Sequence, residues 1–76
     1  MTNTEELKKA IKKSGMKIGA ILEMMNMRNY STLKDKIENR REFTASEIMM
    51  LCDILRLNKD EMEKIFFAPV AEYHSA

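Results

Sequence analysis

The chain has 76 residues with a net charge of +1, and 45% of its residues are hydrophobic while 33% are charged. This length suits one small domain, and the composition is typical of a folded protein rather than a disordered one. No apolar run is long enough to span a bilayer and no signal peptide is visible, so we expect a cytoplasmic protein. The lone cysteine, Cys52, excludes an internal disulfide and a zinc site built on cysteine pairs.

The small net charge conceals a separation of positive from negative residues along the chain. Residues 8–41 contain ten Lys or Arg against three Asp or Glu, whereas residues 42–76 contain three against seven. A basic half is the electrostatic footprint expected of a nucleic-acid binder. A charged helical protein can also show such an asymmetry by chance, so this feature alone does not decide the function.

Apolar residues spaced three and four apart predict a first helix over about residues 5–14, capped by Thr2 or Asn3. It ends at Gly15, because glycine adopts the left-handed conformation at low cost. A second helix, starting at residue 17 or 18 and ending at residue 25, is followed by Asn26, another residue that tolerates this conformation. The inward-facing positions of these two helices are Leu7, Ala10, Ile11, Ile18, Ile21, Leu22 and Met25.

The segment Met27–Arg41 predicts a third helix that organises the rest of the chain. Leu33 and Ile37 lie four residues apart and form its inward face. The helix ends near Asn39, and three consecutive residues are alternative caps: Asn29, Tyr30 and Ser31.

Two further helices carry strong start signals. A capping box from Thr44 to Glu47 begins a fourth helix over about residues 45–56, and Asn58 with Glu61 begins a fifth over about residues 59–67. The fourth helix is apolar on more than one side, so it is either the central core helix or partly a dimer surface. Residues 1–68 thus form one all-α domain, and residues 69–76, which start with a helix-ending proline, form a tail.

No catalytic constellation is visible in the chain. The only histidine, His74, lies in the tail, and Cys52 falls within an apolar stripe, where a buried thiol acts as a small hydrophobe. The chain has no glycine-rich phosphate loop and no carboxylate or histidine cluster spaced for a metal. We therefore expect a protein that is not an enzyme and that needs no cofactor or metal.

The third helix has features that suit contact with DNA. Ser31 and Thr32 lie in its first turn, where short hydroxyls can meet base edges, and Arg40 and Arg41 follow its last apolar contact, where cations can meet phosphates. The same pattern is typical of a surface helix with a solvated, charged face. Tyr30 suits either a half-buried position or a base contact.

The order of these parts resembles the phage Cro and repressor helix-turn-helix family, over about residues 7–67. The likeness is closest to the short single-domain members from phages and prophages of Gram-positive bacteria. Residues of this chain that match the family pattern are Leu33, Lys36, Ile37, Asn39, Arg40, Arg41, Glu42, Phe43, Thr44, Glu47, Ile48, Ile54, Leu55, Leu57, Ile65, Phe66 and Phe67. Two departures stand out: the connection between helices 2 and 3 is at least one residue longer, and Lys17 or Ile18 replaces the family's Thr or Gln.

The resemblance implies a lambda-repressor-like DNA-binding domain, with the helix-turn-helix in helices 2 and 3. It also implies a homodimer that binds double-stranded DNA, an operator with two half-sites about 34 Å apart. We expect Ser31, Thr32, Lys34, Asp35 and Lys36 to meet base edges, with Tyr30 beside them. The phosphate-binding candidates are Lys17, Arg28, Asn29, Asn39, Arg40 and Arg41. The alternative is a helical protein-interaction module, such as an antirepressor or a partner of the transcription machinery, or an antitoxin of this fold.

Overall fold

The computed structural model describes residues 1–67, which form five α-helices and no strand. In chain order these are α1 (Thr4–Ser14), α2 (Ile18–Met24), α3 (Tyr30–Ile37), α4 (Ala45–Ile54) and α5 (Lys59–Phe66). The expected all-α class with five helices is thereby confirmed. The predicted tail, including Pro69, Tyr73 and His74, lies outside the described residues.

Polar side chains cap the starts of four helices. Asn3 accepts a hydrogen bond from the backbone N–H of Glu6, which decides between the two predicted caps of α1. Thr44 and Asn58 each form a complete capping box with the glutamate three residues later, as predicted. α2 differs, because Lys17 precedes it without a side-chain cap.

A residue in the left-handed conformation follows the end of each of the helices α2, α3 and α4. The helices α3 and α4 end earlier than predicted. Asn26, Asn39 and Arg56 have φ angles of 57°, 66° and 54°. In each case the next residue donates a backbone hydrogen bond to the carbonyl five residues earlier, as in Arg40 N–H to Asp35 O at 2.8 Å. This Schellman closure satisfies carbonyls at the helix end, so α3 stops at Ile37 rather than near residue 39 and α4 at Ile54 rather than at residue 56.

Replacing Arg56 by glycine is expected to stabilise the fold by about 0.5–1 kcal/mol. Arg56 is exposed and has a positive φ, which an L-residue with a Cβ adopts only at a steric cost. Urea unfolding measures the change, and Arg56→Ala is the matched control because it removes the same side chain but keeps the Cβ. Equal stabilities of the glycine and alanine variants would contradict this explanation.

All five helices contribute to the core, in which α1 packs against α3 and α5, and α2 packs against α3. Its buried apolar residues are Leu7, Ile21, Met25, Leu33, Ile37, Phe43, Leu51, Leu55, Ile65 and Phe66. The rings of Phe43 and Phe66 pack edge to face with centroids 5.6 Å apart. Met27 and Cys52 pack against this core, Cys52 as predicted, and Phe67 is 39% exposed.

The N-terminal residues fix the end of α3, which the sequence did not indicate. The backbone N–H of Thr2 donates to Asn39 Oδ1 at 3.1 Å, and the Thr4 hydroxyl donates to the carbonyl of Ile37 at 2.7 Å. The Asn3 N–H donates to the carbonyl of Ile65 in α5 at 2.6 Å. The first residues of the chain therefore tie α3 to α5.

Candidate nucleic-acid interface

The connection between α2 and α3 is five residues long, from Met25 to Asn29. Its tight part is the left-handed Asn26, after which the N–H of Met27 donates to the carbonyl of Leu22 at 3.0 Å. Helix-turn-helix units usually join their helices with three or four residues. At five residues, the connection in this chain is longer than that.

Asn29 is the N-terminal cap of α3, and its side-chain oxygen is used for this role. Its Oδ1 accepts the backbone N–H of Ser31 at 3.1 Å and the hydroxyl of Ser31 at 2.7 Å. The three candidate caps thus reduce to Asn29. Because the Ser31 hydroxyl donates to Asn29, its oxygen lone pairs remain the part of this side chain best placed to accept from a base.

The outward side of α3, which we call the α3 face, consists of Ser31, Thr32, Lys34 and Asp35. Helical geometry places Ser31 and Asp35 opposite the buried Leu33, with Thr32 and Lys34 on either side of them. Ser31 and Lys34 are exposed, while Thr32 and Asp35 are half-buried. A hydroxyl, an ammonium and a carboxylate on one short helix can each make a different base contact.

Asp35 and Arg40 are paired with each other rather than presented separately. Arg40 Nε and Nη2 lie 3.0 and 2.9 Å from Asp35 Oδ1, and Nη1 lies 3.2 Å from Glu38 Oε1. The hydrogen bond to Asp35 is the largest of the effects that raise the pKa of Arg40 further above its ordinary value. A base contact by Asp35 or a phosphate contact by Arg40 therefore has to compete with this pair.

Lys36 requires a correction to the predicted set of base-contacting residues. Its side chain is only 10% exposed, and its Nζ lies 2.6 and 2.7 Å from the two carboxylate oxygens of Glu47. The stem packs at the α3–α4 junction while the ammonium forms a largely buried ion pair with the half-buried Glu47. Lys36 therefore holds α3 against α4 and is not available to a base.

Glu47 also accepts the Thr44 N–H at 2.8 Å, so one carboxylate serves both a helix cap and an ion pair. Burial raises the pKa of Glu47, but hydrogen bonds from Lys36 and Thr44 and the charge of Lys36 together outweigh it, and the net pKa lies below the ordinary value. A carboxyl group whose pKa is lower in the folded state than in the unfolded state stabilises the fold at any pH above its unfolded pKa. That stabilisation is lost as the pH falls through the pKa of the folded state.

We therefore expect the free energy of unfolding to fall as the pH drops from about 4.5 towards the lower folded pKa of Glu47. Urea unfolding at several pH values between about 6 and 3 measures this dependence. The variant Glu47→Gln should show a shallower fall than the parent chain over that window, because it has no carboxyl at this position to protonate. Parallel curves for the two proteins would contradict the assignment.

Three cations at the ends of α2 and α3 have no acidic partner among residues 1–67. Lys17 precedes α2, Arg28 lies in the α2–α3 connection and Arg41 follows α3, and all three are exposed. Within residues 1–67, no carboxylate lies within 4.0 Å of any of them or of Lys34. Unlike Arg40, none of these side chains has a carboxylate in the described part of the chain that would compete with a phosphate.

Two other residues predicted to contact DNA, Asn39 and Tyr30, already contact other parts of the protein. Asn39 uses its Oδ1 to accept from Thr2, so it fastens the N-terminal segment. Tyr30 is 49% exposed and lines a cleft between α1 and α3. This position is compatible with both predicted roles, a half-buried side chain and a base contact. Burial raises the pKa of the Cys52 thiol, which agrees with a packing role rather than a nucleophilic one.

The described part of the chain, residues 1–67, has no group of three or more His, Cys, Asp and Glu arranged to hold a metal ion. Over the same residues no helix combines the length and apolar character needed to cross a membrane. No model of a known protein family matches this chain, and neither a curated protein nor a solved structure does. Its function must therefore be inferred from its own side chains.

Proposed function

We propose that this chain is a sequence-specific DNA-binding regulator of transcription, of the phage repressor or Cro type. In this proposal α2, the five-residue connection and α3 form the helix-turn-helix, and α3 enters the major groove. The observation that carries the proposal is the α3 face, on which Ser31 and Lys34 are exposed beside Asp35 on a helix whose other side is anchored in the core.

The anchoring of α3 supports this role because a recognition helix must be held rigidly. Leu33 and Ile37 fix its inner side, Lys36 ties it to α4, and Thr4 and Thr2 bind its C-terminal end. Lys34 would donate to guanine, and the Ser31 oxygen, whose proton is donated to Asn29, would accept from a base amino group. Lys17, Arg28 and Arg41 would contact phosphates on both sides of the groove and set the register.

We further propose that two copies bind an operator with two half-sites. Symmetric half-sites about one helical turn apart, roughly 34 Å, would place one α3 in each of two successive major-groove segments. The apolar side chains that remain exposed on α4, Met49 at 71% and Met50 at 36%, are the candidates for the contact between the copies.

Arg41 and Arg40 should differ in their contributions to DNA binding. Arg41→Ala is expected to reduce the salt dependence of DNA affinity, log K against log salt, by about 0.9, the value for one lost phosphate contact. Arg40→Ala should reduce it by less, because Asp35 and Glu38 already take up the charge of Arg40. Fluorescence anisotropy over a range of salt concentrations measures both slopes, and a larger loss for Arg40→Ala would contradict this ranking.

The first test of the proposal is a titration of the full chain with duplex DNA of mixed sequence at low salt. A DNA-binding regulator should bind such DNA with a strong salt dependence, because phosphate contacts supply non-specific affinity for any duplex. Absence of binding at low salt would refute the proposal.

A helical protein-interaction module is the second candidate, and two observations favour it. Met49 and Met50 expose flexible apolar surface of the kind used for protein partners, and the pairing of Asp35 with Arg40 reduces the charge that α3 offers to DNA. Such a module would lack affinity for mixed-sequence DNA, so the same titration distinguishes the two candidates.

A further inference from the structure

A cleft of about 320 Å³ lies between α1, the start of α2 and α3. Its apolar lining comes from Ile11, Ile18 and Ile37, together with the ring of Tyr30. A volume in this range, with an apolar lining and a few polar groups, is typical of small-molecule sites. We call it the α1–α3 cleft.

The rim of the α1–α3 cleft is basic. Lys8, Lys12 and Lys34 line it together with one acid, Glu38. The Glu38 carboxylate already faces two cations, since Lys8 Nζ lies 3.9 Å from Oε2 and Arg40 Nη1 lies 3.2 Å from Oε1. Lys12 and Lys34 have no carboxylate within 4.0 Å among residues 1–67, so the rim retains positive charge that an anion could neutralise.

We propose that the α1–α3 cleft binds a small organic anion with an apolar body, of the class of medium-chain aliphatic carboxylates. The hydrocarbon chain would lie on the isoleucines and Tyr30, where its burial supplies most of the affinity. The carboxylate would pair with Lys12 and Lys34 at the rim. Inorganic phosphate and other compact anions fit less well, because they would leave the apolar lining exposed to water.

The position of Lys34 couples this site to DNA binding, and this part of the inference rests on the proposed function. Lys34 belongs both to the α3 face and to the rim of the cleft. An anion paired with Lys34 lowers the positive charge that α3 presents to DNA. A bound carboxylate should therefore weaken DNA binding, and by linkage DNA should weaken carboxylate binding equally.

The first arm of the test uses octanoate below its micelle concentration and the full chain without DNA. NMR should show saturable shifts concentrated on the methyl groups of Ile11, Ile18 and Ile37 and on Tyr30, with 1-octanol binding more weakly because it carries no charge. Lys12→Gln should weaken octanoate binding by about fivefold, the scale of one exposed charge contact. Lys13→Gln is the matched control, because Lys13 is the next residue of α1 but lines a different cavity.

Ile11→Trp should abolish the shifts by filling the cleft, and Lys12→Gln keeps the test decisive if that variant does not fold. Shifts that never saturate, or equal effects of Lys12→Gln and Lys13→Gln, would overturn the site.

The second arm measures DNA affinity with and without octanoate. A loss of DNA affinity that follows the octanoate binding curve supports the coupling, and unchanged affinity overturns it. Failure to bind DNA at all would refute the proposed function while the first arm still decides the site.

Discussion

Replacing Glu47 by alanine is expected to lower the free energy of unfolding by about 2–4 kcal/mol. The change removes the carboxylate that caps α4 through Thr44 and leaves the Lys36 ammonium largely buried without a counter-charge. Loss of the cap contributes about 1 kcal/mol, and the unpaired charge supplies the rest. In a small domain this is a large part of the total stability. Urea unfolding should therefore be measured at about 10–20 °C, where the free energy of unfolding is typically greatest.

The second capping box provides the matched control for this variant. Glu61 accepts the Asn58 N–H at 2.9 Å in the same arrangement, but within residues 1–67 it has no cation within 4.0 Å. Glu61→Ala should therefore lower stability by only about 1 kcal/mol. Adding Lys36→Met to Glu47→Ala should restore part of the lost stability, because no buried charge remains unpaired. Equal losses for Glu47→Ala and Glu61→Ala would show that the ion pair contributes nothing.

The largest expected effect on binding comes from removing the three flanking cations together. The variant in which Lys17, Arg28 and Arg41 are all alanine should bind every duplex about a hundredfold more weakly at moderate salt, with a salt slope smaller by about 0.9 for each lost contact. The preference among sequences should change little, because phosphate contacts carry no base information. Anisotropy titrations with a preferred duplex and a scrambled duplex measure affinity and preference together.

A charge-matched variant controls for the loss of three positive charges. Lys13, Arg56 and Lys59 are also exposed and also lack a carboxylate within 4.0 Å in the described part of the chain, but Lys13 lies in α1, Arg56 follows α4 and Lys59 begins α5. Replacing these three by alanine should change the salt slope much less. If both triple variants lose the same slope, the DNA contact is spread over the whole surface and α3 is not its centre.

Local signals explain which parts of the fold were predictable. The Thr44–Glu47 and Asn58–Glu61 boxes and the glycine after α1 act within a few residues, so spacing and residue type suffice to find them. The end of α4 escaped prediction because Arg56 adopts a left-handed conformation that arginine rarely takes. Nothing in the residue type distinguishes it from the helical arginines.

The candidate site was predictable only in part, because several of its side chains pair with residues that are far away in the sequence. Lys36 meets Glu47 eleven residues away, and Asn39 meets Thr2 across 37 residues, so neither pairing follows from helical periodicity. The Asp35–Arg40 pair depends on the backbone reversal at residue 39, which brings a residue beyond the helix end back to its last turn. Ser31 and Lys34, which the sequence placed on the outer face, are exposed there.

The central claim is that the α3 face recognises a DNA sequence, and a selection from a random pool of duplex DNA at moderate salt tests it most directly. We predict enrichment of an inverted repeat with half-sites about one helical turn apart, and loss of that enrichment when Ser31 and Lys34 are both alanine. Absence of any enriched sequence, with binding that vanishes as salt rises, would contradict the claim and leave only a basic surface.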